Sequence, residues 1–184
     1  MDLATFNALP AADAAETVRP CADIDSWVDD IVAGRPYQYR DQLLLRAMRA
    51  AADWDAADVD AALAQHPRIG ERAAGESTEA RLSRTEQPTA AEETAARIAE
   101  GNAAYEARFG RIFLVRAAGR TAEEILANLT ERLANAPETE ALVTAEQLRQ
   151  IALLRLETLV EETAPDAAVE PAAQPGAQSA EVAP

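Results

Sequence analysis

His66 is the single histidine of this 184-residue chain, and it is the side chain best suited to proton transfer near neutral pH. A histidine with an unperturbed pKa of about 6.5 can donate or accept a proton there. His66 directly precedes Pro67, which disfavours helix and is expected to end a predicted helix at the histidine. The ring would then lie at the edge of a helix end, where a ligand can reach it. Composition alone also allows a simpler role, as a favourable partner of the helix dipole.

Three other polar features could hold functional side chains. The stretch from Ser83 to Gln87 is polar and lacks helical periodicity, so it is predicted to be a loop, where functional residues often occur. Asn102 and Tyr105 lie on an otherwise apolar helical stripe, which also suits a buried hydrogen-bonded pair. Arg155 lies on another such stripe, where its stem could cover the core while its guanidinium stays in water.

Composition excludes several classes of enzyme. The 17 basic residues are all arginines, so a P-loop lysine, a Schiff-base lysine and a pyridoxal-phosphate anchor are absent. One histidine and one cysteine cannot build a Cys/His zinc cluster. Catalysis by this chain must therefore depend on other groups.

Charge and cysteine usage limit the partners and the compartment. A formal net charge of −15 argues against binding to nucleic acid, which needs a basic surface. No run of about 20 apolar residues is present to span a membrane, and Met1–Pro10 does not resemble a signal peptide. Cys21 has no partner for an internal disulfide, which favours a reducing compartment. We therefore expect a cytoplasmic protein without a membrane or nucleic-acid partner.

The elements that must position these side chains are predicted to be helices. Apolar residues make up 48% of the chain, many of them alanines, and only 4% of residues are aromatic. Alanine favours helices and disfavours strands, so the fold class is all-α, a compact multi-helix bundle. One strand-like run near 112–116 is expected to be a short extended connector. Helices are predicted at Asp25–Gly34, Arg40–Trp54, Asp55–His66, Thr89–Gly110 and Thr121–Leu133, with a last helix that Thr144 begins or re-caps.

Three predicted helices carry the sequence of a capping box, a threonine followed three residues later by Glu or Gln. The pairs are Thr89 with Glu92, Thr121 with Glu124, and Thr144 with Gln147. The inward stripe of the first is expected to be Ala95, Ile98, Asn102, Tyr105 and Phe109. That of the last is expected to be Leu148, Ile151, Ala152, Arg155, Leu159 and Val160.

The chain is expected to form one domain and a tail. Residues 1–162 carry the helical patterns. Residues 163–184 are almost entirely Ala, Pro, Glu, Gln, Gly and Ser, too polar and small to offset the entropy of ordering. This second segment is predicted to be a disordered acidic Ala/Pro-rich tail.

The polar features occur within motifs whose order resembles that of one family, the decarboxylases of 2-oxo-4-hydroxy-4-carboxy-5-ureidoimidazoline (OHCU). The resemblance spans roughly residues 3–162. It begins with Phe6-Asn7, Trp27 and Arg35-Pro36-Tyr37. It continues with His66-Pro67-Arg68-Ile69-Gly70, Ser83-x-x-Glu86-Gln87, Asn102-x-x-Tyr105-x-x-Arg108-Phe109-Gly110, Phe113-Leu114-Val115, Gly119-Arg120 and Ile151-x-x-x-Arg155-Leu156.

The resemblance implies an all-α, homodimeric enzyme without a cofactor or a metal. Its reaction is the decarboxylation of OHCU to (S)-allantoin during urate degradation. The carboxylate of OHCU lies one carbon from a C=N bond, and this imine can accept the electrons that remain when CO₂ leaves. No thiamine, pyridoxal or metal is then needed as an electron sink.

The resemblance also assigns the site residues. His66 matches the catalytic histidine, the expected proton donor, and Glu86 matches a catalytic glutamate that could orient the imidazole, hold its charged form or relay a proton. Arg155 is the expected partner of the substrate carboxylate, with Arg108 as an alternative that more simply pairs with an acidic side chain. The remaining substrate-binding positions are Pro67, Ser83, Arg84, Thr85, Glu86, Gln87, Phe113, Leu114, Val115, Arg116 and Ala117.

Two other functions remain compatible with the sequence. A catalytically inactive helical binding module could share this fold. A decarboxylase or hydrolase of a related ureide could use the same pocket. The presence of His66, Ser83, Glu86 and Gln87 favours the OHCU decarboxylase over the inactive module.

Overall fold

The computed structural model describes residues 1–64, 66, 68–69 and 90–161 of the chain. Over these residues the structure is all-α, which confirms the predicted fold class. Asp2 and Glu161 form an isolated bridge, and no strand occurs in the described part. The helices are α1 Leu3–Ala8, α2 Ala11–Val18, α3 Asp25–Ala33, α4 Arg40–Ala51, α5 Ala56–Leu63, α6 Ala90–Phe109, α7 Ala122–Arg132 and α8 Pro137–Leu159.

Local sequence explains where the helices begin near the site. The Asp55 carboxylate accepts hydrogen bonds from the amides of Ala57 and Asp58 and so caps α5. Thr121 and Glu124 form a reciprocal capping box at the start of α7, as predicted. Pro137 occupies the first turn of α8, where its missing N–H leaves no bond unmade.

The last helix differs from the prediction at Thr144. Helix α8 runs without interruption from Pro137 to Leu159, so Thr144 neither begins nor re-caps it. The Thr144 side chain is fully buried, and its hydroxyl lies 3.2 Å from the Tyr105 hydroxyl. The threonine therefore contributes to a buried polar network, and the capping prediction was wrong because the preceding turn is already helical.

Other boundaries differ by a few residues. Helix α4 ends at Ala51 and α5 ends at Leu63, three residues before His66. Asp25 is the first residue of α3 and makes no capping hydrogen bond. On α6, Thr94 is buried in place of the predicted Ala95. The predicted cap at Thr89 and the predicted tail lie outside the described residues.

In the described part of the chain, the buried apolar side chains form two clusters. The larger joins α1–α5 to α8 and includes Trp27, Leu43 and Leu156. The smaller joins α6 to α7. Helices α4 and α5 pack against α8, whereas α6 packs against α7.

The extended connector between α6 and α7 joins the two clusters. Leu114 packs into the larger cluster, while Phe113 and Val115 pack into the smaller. Successive side chains of extended backbone point to opposite sides, so one short segment can serve both clusters. Residues 112–116 thus form neither helix nor strand, and the alternation of their side chains agrees with the predicted extended connector, whose Phe113, Leu114 and Val115 are buried between the two clusters.

Two glycines near the connector are required by the packing and the backbone conformation there. A Cβ on Gly101 would lie 2.5 Å from Cδ2 of Leu129, so glycine permits the close packing of α6 on α7. Gly110 has a φ of +68°, a left-handed conformation that ends α6 as predicted and turns the chain into the connector.

Candidate active site

A cleft of about 320 Å³ opens along the seam between the two clusters. It brings together His66, the connector and the C-terminal half of α8, three regions that the sequence analysis had singled out. The described lining residues are His66, Arg68, Ile69, Phe113, Leu114, Val115, Arg116, Ala117, Ala118, Ile151, Leu154 and Arg155.

His66 is partly buried just beyond the end of α5. Its amide donates to the Leu63 carbonyl at 3.0 Å, which holds the residue against the helix end. Its Nδ1 lies 2.9 Å from the Ala62 carbonyl oxygen. Because a carbonyl can only accept, this contact places a proton on Nδ1. In the neutral ring, Nε2 is then the free acceptor.

Nε2 of His66 is the atom of the ring that remains for chemistry. It is buried and has no hydrogen-bond partner among the described residues. Burial disfavours the charged ring, and the positive charge of Arg155 adds to this effect, so the pKa of His66 falls below 6.5, although the bond to Ala62 opposes the fall. The site therefore favours a neutral imidazole whose Nε2 can take up a proton.

The segment after His66 is held to α6. The Asn102 side chain donates from Nδ2 to the Ile69 carbonyl at 2.8 Å. Glu106 lies one helical turn after Asn102 and forms an ion pair with Arg68, with 2.6 Å between Nε of Arg68 and Oε1 of Glu106. Asn102 is thus a structural support of the histidine segment, and its predicted pairing with Tyr105 is replaced by this bond.

Tyr105 belongs instead to a buried network that the sequence analysis missed. Its hydroxyl donates to Glu140 of α8, which also forms a 2.6 Å ion pair with Arg132 of α7. The Arg132 and Glu140 side chains are 3% and 1% exposed. Burial opposes ionisation of Glu140, but the bonds from Arg132, Tyr105 and Asn135 outweigh it and lower the pKa of this carboxyl group. The pair is therefore charged in the fold.

This network reaches the cleft through the connector. Nη1 of Arg132 donates to the Leu114 carbonyl at 2.7 Å, and the guanidinium lies 4.7 Å from the centre of the Phe113 ring. The spacing of Arg132 and Glu140, eight residues apart across a helix break, carries no recognisable motif. Only the position of Arg132 one turn after the buried Leu129 could have indicated an inward arginine.

Arg155 lies in the cleft but not on the inward face of α8. The buried positions of this helix are Glu140, Thr144, Leu148, Ala152 and Leu156, so the predicted inward stripe was wrong at Arg155, whose neighbour Leu156 is the buried residue. Arg155 is exposed, and its Nη1 donates to the carbonyl oxygens of Pro20 and Cys21 at 3.2 and 3.4 Å. The guanidinium is therefore anchored at the rim of the cleft with N–H groups left for a ligand.

The alternative arginine has a different position. Arg108 is exposed, does not line the cleft, and donates to the Asn135 carbonyl at 2.9 Å. Its expected partner, an acidic side chain, is replaced by this backbone oxygen. Of the two arginines, Arg155 is the one placed to meet a ligand.

The remaining predicted site residues are not part of the described structure. Pro67 and the loop residues Ser83, Arg84, Thr85, Glu86 and Gln87 lie outside it, so their assignments stay predictions. Over the ranges that the structure describes, no group of three or more His, Cys, Asp or Glu side chains is arranged to hold a metal ion. No helix there is long and apolar enough to cross a membrane.

Comparison with curated proteins finds two relatives. The chain is 38% identical over 109 residues to the uric acid degradation bifunctional protein TTL of Arabidopsis thaliana, covering 56% of this chain and 34% of that protein. It is 40% identical over 67 residues to the 2-oxo-4-hydroxy-4-carboxy-5-ureidoimidazoline decarboxylase of Amia calva, covering 36% and 38% of the two chains. The matches thus span little more than a third of either relative.

Solved structures share the fold. A crystal structure of an OHCU decarboxylase in the presence of (S)-allantoin aligns with a TM-score of 0.60 at 24% identity, covering 77% of this chain and 94% of that one. A crystal structure of an (S)-allantoin synthase aligns with a TM-score of 0.65 at 18% identity, covering 87% and 54%.

Family membership rests on the sequence itself. A sequence model of the OHCU decarboxylase family matches residues 7–157, a range that includes His66, the connector and Arg155. The chain belongs to the OHCU decarboxylase family.

Proposed function

We propose that this protein decarboxylates OHCU to (S)-allantoin, with His66 as the proton donor. The observation that carries the proposal is the placement of His66 in one cleft with the extended connector and Arg155. A proton-transfer group, an exposed cation and a stretch of extended backbone are the features that decarboxylation of a flat, amide-rich ring requires.

The electron balance of the reaction needs no added group. When the bond between the ring carbon and the carboxylate breaks, its electron pair moves into the adjacent C=N bond of the substrate. The protein then has to bind, orient and move one proton, and we propose that it acts without a cofactor.

The proton balance gives His66 its role. Loss of CO₂ from a carboxylate leaves a carbanion equivalent, so each turnover consumes one proton. The neutral ring, fixed by its bond to Ala62, takes up this proton at Nε2 and delivers it to the former imine carbon, which bears the ureido group, while the hydroxyl on the carbon that lost CO₂ becomes the carbonyl. Delivery from one side of a bound substrate would produce a single enantiomer. Glu86 would orient the ring, hold its charged form or relay the proton.

Arg155 and the connector would bind the substrate. The guanidinium at the rim of the cleft suits a carboxylate, because it offers several N–H donors in one plane. The backbone of Phe113–Ala117, together with Pro67 and the Ser83–Gln87 loop, would supply hydrogen bonds to the ureido group and the ring amides.

We also propose that the protein is a cytoplasmic homodimer. A groove of about 470 Å³ between α4 and α8 is lined by Leu45 and Met48, which are 42% and 50% exposed. Such apolar exposure suits an interface with a second copy. Light scattering should give twice the monomer mass.

The proposed cytoplasmic location rests on Cys21. This cysteine is buried and free, which suits a reducing compartment.

The function is tested by generating OHCU from urate in the presence of the protein. Circular dichroism should record faster formation of optically active allantoin, and EDTA should leave the rate unchanged. Spontaneous decay gives racemic product, so an optically inactive product at the uncatalysed rate would refute the proposal. Turnover of another ureide alone would identify a related enzyme, and no turnover of either would favour a binding module.

A further inference from the structure

Among the residues that the structure describes, no strand lies beside the connector that forms one wall of the cleft, so side chains have to partner its buried backbone polar groups. Two such partners are present. Arg132 donates to the Leu114 carbonyl at 2.7 Å, and the Arg116 amide donates to Oε1 of Gln147 at 3.0 Å. The two bonds hold the connector at two backbone groups, the Leu114 carbonyl and the Arg116 amide, which are two residues apart in the chain.

The first of these anchors is rigid. Arg132 is fixed by its ion pair with Glu140, and both side chains are buried. Leu114 therefore has a defined position in the larger cluster. Arg116 lies beyond this fixed point and is exposed, and the Gln147 side chain holds its amide.

Gln147 lies on the helix face that also serves the cleft. Ile151 and Arg155 follow it at intervals of four residues, and both line the cleft, whereas Gln147 does not. Side chains at such intervals lie one above the other on a helix. One face of α8 thus sets the position of the connector through Gln147 and the position of the guanidinium through Arg155.

We propose that Gln147 is a positioning residue, which holds the connector at the distance from Arg155 that the substrate needs. This inference rests on the proposed function. It replaces the capping role that the sequence predicted for Gln147, because α8 is continuous at this point.

The test compares three variants of the full-length protein. Gln147→Leu removes the acceptor, and Gln147→Glu retains an acceptor oxygen. Gln42→Leu is the control, because it removes an exposed glutamine of α4 whose Oε1 accepts from the Gln38 amide at 2.9 Å, outside the cleft. Gln147→Leu should raise KM for OHCU and lower kcat/KM about tenfold, in the range expected for one lost hydrogen bond. Gln147→Glu should restore most of this loss, and Gln42→Leu should match the wild type.

Amide hydrogen exchange provides a readout without substrate. In Gln147→Leu the Arg116 amide should exchange about tenfold faster, while the amides of α8 keep their wild-type rates. Unchanged Arg116 exchange, or faster exchange with unchanged kcat/KM, would overturn the proposal. If the wild type does not convert OHCU, the proposed function fails, whereas Arg116 exchange still decides whether Gln147 anchors the connector.

Discussion

His66 owes its chemical character to one backbone oxygen and to its surroundings. The Ala62 carbonyl fixes the proton on Nδ1, and burial favours the neutral ring, so Nε2 is a proton acceptor in the resting protein. Once this ring is protonated it is a stronger acid than an exposed imidazolium, because burial favours release of the proton. The same environment therefore serves both halves of a proton transfer.

The first prediction concerns the ionisation of His66. Its ring should titrate below 6.5, and Arg155→Met should move the midpoint upward, because this variant removes a nearby positive charge. As the only histidine, it gives an unambiguous NMR signal, which His66→Asn should abolish. Because the pKa of His66 is lower in the folded protein, its contribution to the free energy of unfolding is fully present when the pH is above the unfolded-state pKa. This contribution is lost as the pH falls through the folded-state pKa. A midpoint at or above 6.5 would contradict this picture.

The second prediction separates substrate binding from anchoring at Arg155. Arg155→Met should lower kcat/KM for OHCU by the equivalent of about 2 kcal/mol, mainly through KM, because a charged hydrogen bond to the carboxylate is lost. Arg149→Met is the matched control. This substitution also removes a hydrogen bond from an arginine of α8 to a backbone carbonyl, that of Ala51. Arg149 does not line the cleft. Equal kinetic effects of the two substitutions would assign Arg155 a structural role.

At the scale of elements, sequence predicts what is local. The helix start at Asp55, the cap at Thr121 and the helix end at Gly110 were predictable because each depends on side chains or backbone freedom within a few residues. Thr144 was not, since its hydroxyl serves a network across three helices. Arg155 was placed on the inward stripe because periodicity alone cannot separate a buried position from its neighbour.

The candidate site could also be predicted only in part from the sequence. The motifs grouped His66, the connector and Arg155, and the three line one cleft, because the resemblance carries tertiary information that periodicity lacks. Their roles in substrate binding and catalysis stay predictions. Arg132 and Glu140 escaped notice because an arginine and a glutamate in helices usually face solvent, and their burial depends on mutual neutralisation.

The third prediction concerns this buried pair. Arg132→Met should lower the free energy of unfolding by about 3–5 kcal/mol, since it leaves the Glu140 carboxylate buried and unpaired. The double substitution with Glu140→Leu should recover much of the loss. Arg46→Met, which breaks a half-exposed 2.7 Å ion pair with Asp30, should cost about 1 kcal/mol or less. Urea denaturation measures all three, and equal losses at Arg132 and Arg46 would show that burial does not matter here.

At the scale of the whole molecule, the first and last described segments are joined. The Glu161 amide donates to the Met1 carbonyl at 2.8 Å, and the terminal amino group of Met1 donates to the Leu159 carbonyl at 2.9 Å. Val160 between them is fully buried in the larger cluster. The end of α8 and the start of α1 therefore close the cluster that supports the cleft.

The fourth prediction uses this closure to define the end of the domain. Truncation after Glu162 should leave the melting temperature and activity unchanged, because the composition of residues 163–184 gives them little to pack. Truncation after Leu159 removes Val160 and should cost about 1.5–3 kcal/mol. Thermal denaturation of the two truncations provides the comparison. A clear fall in the melting temperature on truncation after Glu162 would mean that the tail contributes to the fold.

The most direct test of the account is the stereochemistry and rate of OHCU decarboxylation by His66→Asn. Asparagine preserves approximate size and one hydrogen bond but cannot transfer a proton. We expect kcat to fall by about 10² to 10⁴-fold, the usual contribution of general acid–base catalysis, and the melting temperature to change little. The allantoin formed should become racemic, whereas the wild type should produce one enantiomer. A variant that kept both the full rate and the single enantiomer would remove His66 from the mechanism.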